Sequence, residues 1–378
     1  MIIIFAIIFI LFFYGATNYY IGVRIFQGLS FLFPHMNAKI YAGIFVFIAL
    51  SLIVAIMPLP SGIKRIMSWV GSHWMGIFVY LLMFFLMADL VILFGSIVNI
   101  IPNPIPQSIR FYVGLTVLLL ATCLVIYGMH NAKQIKHVSY DIQAKETTLT
   151  TNIKIVLISD LHLGAISSEK QLESIVRGIN NLDPDIVCLA GDIFNDDYNA
   201  IRDPDKAIDL FQSINSTYGV YGCLGNHDGG KTFEKMVSLL EQSNIKLLND
   251  EYVIIDERLV LLGRIDPSPI GGFGELKRKD ITEILATIGT DIPIVVMDHT
   301  PSNIEQYGRE IDLLLAGHTH RGQIFPFNYI TKSIFTLDYG HYQKDAYSPH
   351  VIVTSGVSTW GMPMRIGSNS EIVSILLR

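Results

Sequence analysis

Charged side chains are scarce at the start of this chain: residues 1–128 hold five Lys or Arg and a single acid, Asp89. That scarcity excludes an ordinary soluble surface and reads as membrane. Cysteine is scarce too, with only Cys123, Cys188 and Cys223, which excludes a disulfide framework. Cys188 and Cys223 fall in strands expected to be neighbours, where a disulfide between them is the alternative to the expected state of buried free thiols acting as small hydrophobes. A basic stripe is also missing. The net charge of −6 divides into +4 for the first 128 residues and −10 for the rest, which argues against a nucleic-acid-binding surface. It does not exclude a phosphorylated substrate, because bound divalent cations can dominate a local field. No internal repeat is visible, so the paired halves of many transporters are not expected.

What is present in the first half is apolar sequence. Stretches run at about residues 2–22, 41–58, 72–99 and 111–129, each near or above the roughly 18 to 20 residues that cross a bilayer core. A signal peptide would show a basic leading region, whereas no Lys or Arg precedes Arg24. Four spans place both termini on one side. Lys64, Arg65, Lys133 and Lys136 lie on that side, against Arg24, Lys39 and Arg110 on the other, so the expected location is a multi-pass cell-membrane protein with its second half on the cytoplasmic face. Asp89 is an intramembrane acid and is expected to pair with a polar group of another helix or to mark an ion path.

The second half concentrates the chemistry. Nine of the eleven histidines lie after residue 129, and five of these sit in short fragments: Asp160-Leu-His162, Gly191-Asp192, Gly225-Asn226-His227-Asp228, Asp298-His299 and Gly317-His318-Thr-His320. Each follows an apolar run that reads as a buried strand, at Lys154–Ser159, Ile186–Ala190, Val220–Leu224, Ile294–Met297 and Leu313–Ala316. The carboxyl ends of strands in an open α/β sheet are where ligands bind, so the fragments are expected to converge on one edge of one sheet. A polar connector over 130–152 contains a first strand at about Lys136–Ile142. Helices are expected near Glu169–Asn181, Pro204–Asn215, Lys231–Gln242 and Leu276–Ile288, and strands near Ile245–Leu248, Tyr252–Ile255, Leu259–Leu262, His350–Thr354 and Glu371–Leu377. Early βα units followed by more strands point to two sheets packed face to face with helices outside. The expected division is a transmembrane domain of about four helices over 1–129 and an α/β domain over 130–378.

Taken together, the five fragments resemble the signature blocks of the calcineurin-like metallophosphoesterases, in order, across about residues 136–378. The segment from Val353-Thr-Ser-Gly356 through Met362-Pro-Met-Arg365 to Glu371-Ile is similar to the membrane-associated bacterial branch of that family. The resemblance implies a four-layer αββα sandwich and a dinuclear metal centre. One ion would be held by Asp160, His162 and His320 and the other by Asn226, His299 and His318, with Asp192 bridging both. Imidazole, carboxylate and carboxamide donors without a thiolate suit two divalent ions such as Mn, Fe or Zn. It also implies hydrolysis of a phosphodiester, pyrophosphate or phosphomonoester by a metal-bridging hydroxide, with His227 stabilising charge or protonating the leaving oxygen and Asp228 orienting that imidazole. The substrate class implied is a phosphorylated small molecule or a lipid-linked nucleotide, with membrane lipid as a partner and no nucleic acid. A metal-binding sensor or scaffold is the alternative, although it has no need of both His227 and Asp228.

Weaker signals surround these fragments. Arg264, Asp266 and Arg321 could reach a substrate phosphate, since arginine suits bidentate phosphate contact. Trp360, Met362 and Met364 form an apolar cluster that edges the site, touches lipid or packs in the core. Asp196 and Asp197 read as a solvated loop. Gly191, Gly225 and Gly317 read as residues of tight turns.

Overall fold

A computed structural model describes residues 2–57, 59–144, 152–167, 169–289 and 292–378. The chain forms two compact units, Met1–Gly128 and Met129–Arg378. Seven residues of the expected connector, 145–151, lie outside the described residues.

The first unit is built on helices α1 (Ile2–Leu32), α2 (Ala38–Ala55), α3 (Ser61–Ile97) and α4 (Gln107–Ala132), four helices long and apolar enough to cross a membrane. Asn37 caps α2 by accepting the backbone N–H groups of Lys39 and Ile40. The run Pro102, Pro104 and Pro106 keeps α3 and α4 apart, because proline removes a helix donor. Phe5, Phe9, Phe12, Leu90 and Phe94 are exposed. Apolar side chains facing outward along a whole helix are what lipid contact requires. Asp89 is not isolated: Arg24 of α1 forms an ion pair with it, and the Tyr20 hydroxyl donates to its Oδ2 at 2.7 Å. Of the two expectations for Asp89, the structure shows the pairing, as an apolar surrounding demands of a buried charge.

The second unit is a sandwich of two six-stranded sheets. The first contains β1 (Ile135–Ile142), β2 (Ile153–Ile158), β3 (Ile186–Ala190), β4 (Val220–Cys223), β5 (Ile245–Leu247) and β12 (Ser370–Leu377), in the order β1-β12-β2-β3-β4-β5. The second contains β6 (Glu251–Ile255), β7 (Leu259–Gly263), β8 (Ile294–Met297), β9 (Leu313–Ala316), β10 (Gly340–Tyr342) and β11 (His350–Val353), in the order β10-β11-β9-β8-β7-β6. Strands β2 to β5 run parallel, and so do β7, β8, β9 and β11.

Because side chains alternate across a strand, each apolar run feeds two layers at once. In β2, Ile153, Ile155 and Leu157 face the middle of the sandwich beside Ile186 and Cys188, while Val156 and Ile158 face outward. That outer face packs on Leu172, Ile175 and Ile179 of α5 (Glu169–Asn180), Phe211 of α6 (Pro204–Gln212) and Leu239 of α7 (Phe233–Gln242). On the second sheet Leu261, Val295 and Met297 face the middle, and Val260, Leu262 and Val296 pack outward with Ile281 and Ile284 of α8 (Ile281–Leu285). The layers are therefore α, β, β, α. Each fully buried Leu, Ile or Val contributes about 1.5 to 3 kcal/mol, and a one-residue slip would reverse both faces of a strand. Cys188 and Cys223 are buried and free.

Two local expectations fail. The helix expected over 276–288 shrinks to α8, because its first residues are tied down elsewhere: Arg278 grips Asp298 with both Nη atoms and the Lys279 N–H donates to Asp250 at 2.6 Å. Asp280 then caps α8 through the Thr282 N–H. In addition, α9 (Phe327–Ile334) and β10 form where no element is expected. Neither is long, and α9 has no buried residue.

Candidate metal centre

The five fragments all follow strand carboxyl ends, but they come from both sheets. Asp160 and His162 follow β2, Asp192 follows β3 and Asn226 to Asp228 follow β4, whereas His299 follows β8 and His318 and His320 follow β9. The expectation of one edge of one sheet is thus corrected to the facing ends of two sheets.

Sharp backbone turns bring these side chains back over the strand ends. Asp160, His162, Asp192, His318 and His320 all adopt positive φ, between 48° and 71°. This left-handed region is uncommon for residues with a Cβ, and such strain persists only where the surroundings over-determine it. The glycines divide into two kinds. Gly191 turns at φ 78°, as expected. Gly225 and Gly317 serve close approach instead: a Cβ would stand 2.2 Å from the Asp192 nitrogen at Gly225 and 2.2 Å from Ser159 Oγ at Gly317.

Two groups of donors result. In the first, His320 Nε2 lies 3.3 Å from Asp160 Oδ1 and 3.1 Å from His162 Nε2. In the second, the donor atoms of Asp192, His299 and His318 lie within 4.8 Å of one another. Asp192 Oδ2 is 3.1 Å from His299 Nε2 and 3.8 Å from His162 Nε2, so this carboxylate stands between the groups. Asn226 joins the second group, its Oδ1 2.8 Å from His318 Nδ1. All seven residues expected as ligands are therefore gathered in one place.

The residues fit a divalent cation on three counts. His299 Nδ1 donates to the Ala190 carbonyl at 2.8 Å, which directs the lone pair of Nε2 toward Asp192, and Nε2 is buried without a hydrogen-bond partner. Burial pushes His162 down to about 3 and His318 down to about 4, which keeps both rings neutral and their lone pairs available. His299 goes the other way. Burial lowers its proton affinity, but the charges of Asp192, Asp160 and Asp266 outweigh burial and raise it well above the ordinary range. These carboxylates draw positive charge to the spot, which a metal ion would supply.

His227 is held differently from the expectation. Asp228 does not orient it: both Asp228 oxygens are taken by backbone N–H groups, Oδ1 by Phe194 at 2.8 Å and Oδ2 by Gly225 at 2.7 Å. Asp228 is thus a buried brace that ties the β4 loop to the β3 loop, and burial together with the nearby Asp192 charge pushes its carboxyl up to about 7. The partner of His227 is Asp196, whose Oδ1 accepts from Nδ1 at 2.8 Å. Burial lowers the His227 pKa, but the bond to Asp196 and the charge of Asp192 reverse the direction to a net rise. The half-exposed Asp196 was legible only as an acid two residues past Phe194 in an Asn-Asp-Asp run, which is why it reads as loop.

The arginines also move. Arg264 is buried against Asp250 and donates to the Lys279 carbonyl, and Asp266 accepts from Thr300 and Ser268, so both are structural. Arg321 lies over the Tyr339 ring at 4.3 Å. Arg365, by contrast, carries a role that the sequence did not signal beyond its place in an apolar run. It is wholly buried and donates to the carbonyls of Ser355, Gly356 and Ser358, while Nη2 lies 3.3 Å from His320 Nδ1. Burial pulls its pKa down to about 10, so it remains a cation at neutral pH. Replacing Arg365 with Met would strand these carbonyls. The expected result is a loss of about 2 kcal/mol or more in stability, read as a lower denaturation midpoint; an unchanged midpoint would mean that the Arg365 contacts contribute nothing.

Residues 153–322 match the family model described as calcineurin-like phosphoesterase. Over 382 aligned residues the chain is 29% identical to an uncharacterized metallophosphoesterase of Campylobacter jejuni, covering 98% of this chain and 97% of the relative. It is 29% identical to an uncharacterized metallophosphoesterase of Helicobacter pylori over 61% of this chain and 60% of that one. Against a transmembrane protein with metallophosphoesterase domain from Danio rerio it is 30% identical, over 69% of this chain and 62% of the relative. With that match laid over the two donor groups, the chain carries a calcineurin-like phosphoesterase domain over residues 153–322, together with four membrane-capable helices.

Proposed function

We propose that the protein is a membrane-anchored, dinuclear-metal phosphoesterase that hydrolyses a phosphodiester, pyrophosphate or phosphomonoester. The observation that carries the reading is Asp192, whose Oδ2 faces His162 of one donor group and His299 of the other. Asp160, His162 and His320 would hold one ion, and Asn226, His299 and His318 the second, with Asp192 shared. Bound divalent ions supply Lewis acidity toward the phosphoryl oxygens and lower the pKa of water.

The protein's own side chains supply the rest. His227 sits beside the centre, its ring 5.3 Å from that of His162, with Asp196 fixing Nδ1. That leaves Nε2 to hold a proton and pass it to a leaving oxygen, a task suited to an imidazole whose proton affinity is raised by Asp196 and Asp192. The Asp192 carboxylate accepts the His227 backbone N–H at 2.8 Å, so the metal-bridging residue also sets the position of the acid. In this reading residues 1–129 anchor and 130–378 catalyse, with the catalytic half on the cytoplasmic face.

The direct test is to load the purified full chain with Mn and assay bis-p-nitrophenyl phosphate beside p-nitrophenyl phosphate. Turnover of at least one, lost on chelation and restored by Mn, Fe or Zn, is expected. A chain that binds two ions per molecule but cleaves neither of these nor a panel of phosphorylated metabolites would defeat the enzymatic reading.

A further inference from the structure

The cavity above the donor groups has two kinds of surface. Its volume is about 580 Å³. The floor is polar, formed by His162, Asp192, Asn226, His227, His318 and His320, while the walls are Ile270, Phe327, Ile330, Phe335, Trp360 and Met362. Two of the wall rings touch the floor directly: Trp360 lies 5.6 Å from His227 and Phe335 stands edge-on to His318 at 5.9 Å. Among the described residues no Lys or Arg lines the cavity.

The walls do not serve the protein core. Ile330, Trp360 and Ile270 are 52%, 48% and 46% exposed, and α9, which carries Phe327 and Ile330, buries none of its residues. The same helix also exposes Tyr329 and Ile334. Helix α9 is held by few contacts from outside its walls: Thr331 Oγ1 donates to Asp338 Oδ2 at 2.9 Å, Tyr329 stands edge-on to Phe325, and the backbone at Asn328 lies so close to Gly322 that a Cβ there would stand 2.2 Å away. Apolar side chains held at the mouth of a cavity, with no core to bury them, are a binding surface rather than a packing surface.

From this division we infer that the site selects amphiphilic phosphoesters: the phosphate rests on the donor groups and an ester-linked hydrocarbon arm runs between Trp360 and Met362 on one side and Phe327, Ile330 and Phe335 on the other. The inference rests on the phosphoesterase reading and adds the substrate class. Trp360 and Ile330 are its specificity-determining residues.

The test uses the metal-loaded full chain and two homologous series. The first is 4-nitrophenyl alkyl phosphates together with alkyl monophosphates, methyl to octyl, kept below micelle-forming concentrations and followed by kcat/KM. The second is the matching alkylphosphonates, which cannot be hydrolysed at the P–C bond, followed by calorimetric binding. Each buried methylene is expected to raise kcat/KM and affinity about threefold, so hexyl should exceed methyl by roughly two orders of magnitude before the arm leaves the cavity and the series flattens. Ile330→Ser and Trp360→Ser should each cut the hexyl-to-methyl ratio at least about tenfold in both series, with the metal content unchanged. Hydrolysis without dependence on length overturns the amphiphile assignment and leaves the phosphoesterase reading standing. Phosphonate affinity that climbs with length in a chain that hydrolyses nothing does the reverse. Ratios that are identical in the parent and both variants remove the named walls from the site.

Discussion

Alanine at position 192 is expected to empty the metal centre and lower kcat/KM by about three orders of magnitude or more, roughly 4 kcal/mol of transition-state stabilisation. The size of the effect follows from position. Among the described residues Asp192 Oδ2 is the one carboxylate oxygen within 4 Å of imidazoles from both donor groups, and Oδ1 accepts the His227 N–H. Removing the side chain therefore takes a donor from each group and releases the loop that carries His227. Asp192→Asn separates these consequences, because an amide oxygen can still accept from His227 while the negative charge is gone. Both variants should fall from two ions per chain toward one or none by elemental analysis, and only Asp192→Ala should also loosen the β4 loop, read as faster amide exchange at residues 225–228. Full metal content in Asp192→Ala would show that this residue does not bridge.

His227→Ala should be nearly as severe on rate but silent on metal. A positioned general acid contributes about 10²- to 10⁴-fold, and His227 lies outside both donor groups. The variant should keep two ions per chain, retain KM within a few-fold and lose kcat. Substrates with good leaving groups, such as nitrophenyl esters, should suffer less than alkyl esters, because a stable leaving anion needs no proton. Asp196→Asn should show the same leaving-group dependence in weaker form, since the side chain of Asp196 is 46% exposed and its bond to Nδ1 competes with water. Should Asp228→Asn reproduce that dependence while Asp196→Asn does not, the assignment of the His227 partner made from the 2.8 Å contact would be wrong.

The parts of this protein that were legible in its sequence are those governed by short-range rules. Apolar runs of four to six residues, each ended by a Gly, Asp or His fragment, marked β2, β3, β4, β8 and β9 to within about a residue, because burial on both faces leaves no other use for such a run. The candidate donor residues were legible for the same reason, since each stands just past a strand end. What was not legible depends on pairings distant in sequence. Whether Asp196 or Asp228 serves His227 is decided by how the loops after β3 and β4 interlock, with Asp228 consumed by Phe194 and Gly225. The loss of the helix over 276–280 is decided by Asp250 and Asp298 capturing Lys279 and Arg278. Arg365 was legible only as part of the Met362-Pro-Met-Arg365 segment, and its contacts exist only once the chain near Ser355–Ser358 folds around it. Helix α9 was hidden because the period it follows has no core to face.

The split origin of the centre has one more consequence. Each donor group takes residues from both sheets: Asp160 and His162 meet His320, and Asp192 and Asn226 meet His299 and His318. The gap between the sheets is therefore also the gap across each donor group, and the side chains that set it, among them Ile155, Cys188, Leu261 and Val295, lie in the middle layer of the sandwich. That layer acts as a calliper. The spacing within each donor group is thus set by aliphatic residues that are not donors, so a change in hydrocarbon packing would shift the two halves of a group while every donor stays the same.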